Sequence, residues 1–133
     1  MFAVLSPAKK LDFCSLDTEL PHTQPRFQND TEQLLKKTRT LSSRKLQDLM
    51  GISEALGTLN QERFQQIELP VSPDKGKQAA LAFAGDTYTG LDAPSLSSDD
   101  LAFAQNHLGI LSGFYGLLRP MDLIQPYRLE MGT

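Results

Sequence analysis

Three capping signals in succession, at Asp30, Ser42 and Ser53, constrain this chain's fold more than any other feature. Asp30 stands three residues before Gln33, a loose capping box, and Leu34, Leu35, Thr38 and Leu41 follow on one side, which predicts a helix over about 31–40. Ser42-Ser43 offers a second N-cap before Leu46, Leu49 and Met50, an apolar stripe that stops at Gly51. A third helix is expected from Ser53, with Leu56, Leu59 and Phe64 inward and Glu54, Asn60 and Glu62 outward.

Outside that stretch the apolar runs are short and bounded by breakers. Phe2 to Leu5 reads as a buried strand, and Ser6 to Phe27, with Pro7, Pro21 and Pro25, as an irregular excursion. Pro70 to Gly76 is a turn-rich connector and the best internal boundary. Ala79 to Gly85 is expected as a buried strand, although its alanines suit a helix equally well, and Asp86 to Leu91 as a polar turn around Gly90. Ser97 or Ser98 caps a helix carrying Asp99 and Asp100 in its first turn. Gly109, Gly113 and Gly116 then oppose a helix, so a strand is expected from Leu108, and Pro120 and Pro126 keep 117–131 extended. The expected fold class is mixed α/β (α+β): short strands with a tandem-helix insertion over 30–65, in one domain or the N-terminal half of a larger one.

With 40% hydrophobic residues the chain can build a core, and disorder is excluded. A single cysteine, Cys14, excludes an intrachain disulfide, and with only His22 and His107 the soft ligands are too few for a closed zinc site; neither metal nor cofactor is expected. Cys14 itself reads as an inert small side chain. No apolar run approaches the ~20 residues of a membrane helix, and the start lacks a leader pattern, so a cytoplasmic protein without a membrane partner is expected.

A net charge of −3 argues against a wholesale polyanion binder, but the charge is uneven. Residues 36–45 carry Lys36, Lys37, Arg39, Arg44 and Lys45 and no acid. Beside them, Leu46-x-x-Leu49-Met50-Gly51-Ile52-Ser53-x-x-Leu56 follows the pattern of a helix-hairpin-helix, with Ser53 in place of the second glycine. Such a turn offers backbone N–H groups to the phosphates of double-stranded DNA and reads backbone, not sequence. The competing account is a plain helical turn with a solvated basic face.

A second candidate site is scattered. Ser6 and Lys9 follow the first strand, Asp86, Tyr88 and Gly90 follow the second apolar run, and Ser112, Tyr115, Arg119 and Arg128 lie in the glycine-rich C-terminal stretch. Hydroxyls and guanidinium forks beside small residues suit a phosphate-containing small molecule, and the three loops are expected to share one cleft. Alternatively the glycines shape turns and the two arginines pair with Asp122 and Glu130.

Taken together, Ser6-Pro7-Ala8-Lys9, Gly85-Asp86-x-Tyr88-x-Gly90-Leu91, Leu111-Ser112-Gly113-x-Tyr115-Gly116-x-Leu118-Arg119-Pro120 and Gln125-Pro126-Tyr127-Arg128-Leu129-Glu130-Met131-Gly132 resemble the YaaA family of bacterial peroxide-stress-resistance proteins. The resemblance spans the whole chain. It implies a cytosolic protein of mixed α/β fold that limits oxidative damage from unincorporated iron and binds DNA through a positively charged cleft and a helix-hairpin-helix. It implies no catalytic residue. Members of the family run on for about as many residues again, so this chain is expected to be an N-terminal half with apolar surface exposed near Met131-Gly132-Thr133.

Overall fold

Serine hydroxyls open three of the six α-helices among the described residues. In the computed structural model, which describes residues 1–14 and 20–130, Ser42 accepts a hydrogen bond from Lys45 N and opens α2 (Ser43–Met50). Ser53 accepts from Leu56 N and opens α3 (Glu54–Gln66). Between them Gly51 takes the left-handed conformation, φ +64°, that closes α2 without a side-chain clash. The first helix departs from expectation: α1 (Gln28–Arg39) starts at Phe27 without a side-chain cap, and Asp30 lies inside its first turn. A carboxylate there still favours the N-terminal dipole, which is why the local signal was real but misplaced.

The inward faces are also rotated from the simple stripe. Leu35 and Thr38 are buried on α1, but Leu34 is exposed; Leu46 is buried on α2, but Leu49 is exposed. On α3 the buried set is Gly57, Asn60 and Phe64, so Asn60 points in and Leu59 out. Asn60 tolerates this because its amide nitrogen donates to Leu56 O at 2.8 Å. Gly57 is required by packing: a Cβ there would stand 2.8 Å from Ser43 O, so α2 and α3 meet almost backbone to backbone.

The strands are short. β1 (Ala3–Leu5) pairs parallel with β5 (Leu108–Ser112), which pairs antiparallel with β6 (Gly116–Leu118). Two small antiparallel ladders join β2 (Lys10–Leu11) to β4 (Phe83–Ala84) and β3 (Lys77–Gln78) to β7 (Leu123–Ile124). The Ala79–Gly85 run divides: Ala79–Ala82 forms α4 and only Phe83–Ala84 is strand, consistent with the helix propensity of alanine. Asp86–Leu91, expected as a turn, is helix α5, with Asp86 exposed in its first turn. The last helix, α6 (Ser98–His107), carries a full capping box between Ser97 and Asp100. The fold is mixed α/β, with the α1–α3 layer inserted between β2 and β3.

One core joins the layers. Leu35, Leu46 and Phe64 from the helices pack with Ile110, Phe114, Tyr115, Leu118, Leu123, Ile124 and Tyr127 from the C-terminal stretch. The connector after α3 belongs to it as well, since Val71 is buried and exchanges two hydrogen bonds with the Gln24 side chain at 2.9 and 2.7 Å. No helix among the described residues is long and apolar enough to cross a membrane.

Candidate functional site

At the carboxyl end of β1 the chain passes Ser6 and Lys9, and two distant segments close on it. From α5, the Tyr88 hydroxyl donates to Ser6 O at 2.6 Å. From the segment after β5, the Tyr127 hydroxyl lies 2.6 Å from Ser112 Oγ, which also accepts from Phe114 N and Tyr115 N. Gly113 permits the fold-back: a Cβ there would stand 2.4 Å from Leu129 O. Tyr115 and Tyr127 meet edge to face at 5.2 Å, and the Tyr115 hydroxyl accepts from Gln125 N. Burial pushes the Tyr88 and Tyr127 phenols up to about 12 and Tyr115 higher still, so all three are neutral hydrogen-bonding groups over a wide pH range.

Above this floor lies a charged cluster. Lys9 Nζ is 3.4 Å from Glu130 Oε1, and Arg128 Nη2 donates to the same oxygen at 3.1 Å. The Arg128 hydrogen bond, and then the charges around it, hold the Glu130 carboxyl below the usual carboxylate range. Arg128 Nε is buried without a hydrogen-bond partner. Arg63, near the end of α3, approaches the same place: burial, and then the charge of Arg128, lower its pKa.

Arg119 goes elsewhere. Its guanidinium pairs with Asp122, Nη2 at 3.0 Å and Nε at 3.1 Å, and donates to Gln24 O at 2.9 Å. Asp122 is fully buried and also accepts from Arg119 N at 2.8 Å and from the Thr23 hydroxyl. Ser6, Tyr88, Ser112 and Tyr115 are thus brought together around Lys9 and Arg128, whereas Arg119 serves a separate structural knot. Asp86 and Gly90 lie on the exposed side of α5, whose buried residue is Tyr88.

The basic stretch divides in the same way. Lys36, Lys37, Arg44 and Lys45 are exposed and have no ion-pair partner among the described residues. Arg39 is engaged: Nε donates to Phe64 O at 3.1 Å and Nη2 to Ile67 O, which ties α1 to the carboxyl end of α3. Gly51 and Ser53, the hairpin positions, are both exposed. They sit at the far end of α2, with Gly51 about 9–10 Å along the helix from Arg44 and Lys45.

The family model for "Peroxide stress protein YaaA" matches residues 1–133. The chain belongs to this family. Among curated relatives, UPF0246 proteins of Alteromonas mediterranea, Cellvibrio japonicus and Aromatoleum aromaticum are 57%, 54% and 52% identical to it over 133 residues. In each case the match covers 100% of this chain but only 51–52% of the relative, so the chain spans about half their length. Residues 125–130 of the distinctive block, which form no regular strand, carry Tyr127 into the tyrosine floor and Arg128 and Glu130 to Lys9, while Met131, Gly132 and the apolar surface expected beside Thr133 lie outside the described residues.

Sequence reasoning assigned Arg63 no role and weighed Glu130 only as a counter-ion. Arg63 had no local signal, since one arginine in a polar helix face is ordinary. Gln125 gave a faint one: its amide bridges Gln66 O and Glu68 N, and that bridge brings Arg128 to Arg63.

Proposed function

We propose that this chain serves peroxide-stress resistance by binding the backbone of double-stranded DNA on the α1–α2 basic face, with the Gly51–Ser53 turn as a second contact. The observation that carries the reading is the set Lys36, Lys37, Arg44 and Lys45 within ten residues, exposed and without an ion-pair partner among the described residues. Lys36 and Lys37 also complement the carboxyl-terminal dipole of α1. In the turn, the first N–H groups of α3 are aimed outward, while Ser53 Oγ caps only Leu56 N. Glu54 at the start of α3 opposes an anion there, so the lysines and Arg44 dominate. Peroxide damages DNA through iron-generated radicals, and a protein that covers the backbone in the cytoplasm limits that damage from unincorporated iron.

The test is DNA binding across a salt series. Replacing Lys36, Lys37, Arg44 and Lys45 with alanine weakens binding and lowers the slope of log affinity against log salt by roughly 0.9 for each lost contact. Unchanged affinity and slope would remove DNA from this face. Arg39 is left in place, because its loss would disturb α3 rather than a phosphate contact.

A further inference from the structure

The Arg128 guanidinium has one satisfied edge and one bare one. Nη2 donates to Glu130, but Nε is buried without a partner, a state that folded proteins rarely keep for a charged donor. The carboxylate that holds Nη2 is shared: Lys9 Nζ reaches the same oxygen. A second guanidinium, Arg63, lies within electrostatic reach of the first. The Gln125 side chain donates to Gln66 O at 3.4 Å and accepts from Glu68 N at 2.9 Å, which lays the Tyr127-Arg128 segment against the end of α3. The side chain of Arg63, one turn earlier on that helix, has no hydrogen bond or ion pair among the described residues. Lys9 and Arg128 therefore share one carboxylate oxygen, and the Arg63 charge, which has no carboxylate of its own among the described residues, adds to theirs.

We propose that Lys9, Arg63 and Arg128 form a site for the terminal phosphate of a small phosphate monoester, and that Glu130 is a built-in carboxylate occupying the anion position until the ligand displaces it. The phosphate follows from the donors. Two guanidinium forks and an ammonium match several oxygens of a tetrahedral dianion, whereas a single carboxylate, as Glu130 demonstrates, leaves Nε bare. The small size follows from the recess. The Arg128 side chain is 21% exposed and its Nε is buried, so a terminal phosphate can enter where a phosphodiester, flanked on both sides by its own chain, cannot. Displaced Glu130 is 38% exposed and turns into solvent at little cost. The site uses none of the α1–α2 basic residues, so it stands or falls independently of DNA binding there.

Calorimetric titration of the chain with inorganic phosphate and with phenyl phosphate tests this at low salt. Saturable binding is expected; Arg63→Gln or Arg128→Gln weakens it tenfold or more, and Glu130→Gln strengthens it several-fold by removing the internal competitor. Arg128→Lys, which keeps the charge, recovers part of the loss and guards against a folding defect in Arg128→Gln. Alanine at Lys36 and Lys37 leaves phosphate binding unchanged. Absence of saturable binding, indifference to Arg63→Gln, or weaker binding in Glu130→Gln overturns the proposal. So does displacement of phosphate by duplex DNA through the same residues.

Discussion

Arg119 and Arg128 stand nine positions apart in one glycine- and proline-rich stretch, each with a carboxylate two or three residues on, yet the fold treats them in opposite ways. Asp122 is fully buried and its carboxylate accepts three hydrogen bonds, from Thr23 and from both the backbone and side chain of Arg119, whose Nη2 also ion-pairs with it and donates to Gln24 O. Glu130 is 38% exposed and one of its oxygens is divided between Lys9 and Arg128, while Arg128 Nε finds nothing. The first pair is closed and structural. The second is open and has donor capacity left over. Charge density alone does not distinguish a site from a brace; unsatisfied hydrogen-bonding capacity does.

The largest effect that probes this contrast is alkaline. The floor of the open cluster is Tyr88, Tyr115 and Tyr127, and burial raises the Tyr88 and Tyr127 phenols from 10.0 to about 12. Between those values the unfolded chain loses protons that the folded chain keeps, so stability falls as pH rises from 10 towards 12. Tyrosinate absorbance and far-ultraviolet circular dichroism followed together in an alkaline titration check it. Ionisation of all three phenols with the fold intact would mean the floor is wet. Next comes Asp122→Ala, which strands the Arg119 guanidinium and is expected to cost about 3–5 kcal/mol. A urea midpoint close to that of the parent would show the knot to be no more closed than its neighbour.

Smaller effects sharpen the comparison. Arg39→Ala removes charged donors from the last carbonyls of α3 and is expected to cost roughly 1.5–3 kcal/mol, whereas Arg44→Ala stays within about 0.5 kcal/mol. Equal losses in thermal unfolding would make the basic stretch one functional unit after all. Smallest is Glu130→Gln, below about 1 kcal/mol near neutral pH, as for other exposed pairs. Because Arg128 lowers the Glu130 pKa below 4.5, the contribution of this pair is present above 4.5 and disappears as pH falls through the lower folded value. Parent and variant unfolding curves should therefore converge in acid; a gap that widens there would reverse the assigned sign.

Legibility in the sequence followed the reach of each interaction. Ser42, Ser53 and Ser97 cap their helices as read, because a cap needs only the next three residues. Asp30 carried the same vocabulary, but α1 gains a further turn at its start, where Thr31 bonds Phe114 O from across the chain. Asn60 reads as outward from its polarity, yet it lies in the core, where Leu56 O accepts from its amide nitrogen while its Oδ1 has no partner, and Leu59 is in solvent. Tyr88 meets Ser6 and Tyr127 meets Ser112, while Arg119 pairs with Asp122 and Arg128 with Glu130, the pairing the sequence offered as its alternative; what the sequence could not show is that Gln24 bonds Arg119 and Thr23 bonds Asp122, from 95 and 99 residues away.

By itself the sequence determined what local chemistry can determine: the capped helices α2, α3 and α6, the left-handed stop at Gly51, the strand from Leu108, and a family-specific block after β5. Only tertiary structure decided which cations are occupied. Arg39 is held by carbonyls of α3 and Arg119 by Gln24 O from a distant segment as well as by Asp122 three residues on, while the Gln125 bridge to the end of α3 brings Arg128 within electrostatic reach of Arg63. A guanidinium is the same donor fork wherever it stands in a sequence, and what it can bind depends on which acceptors the folded chain has already placed around it.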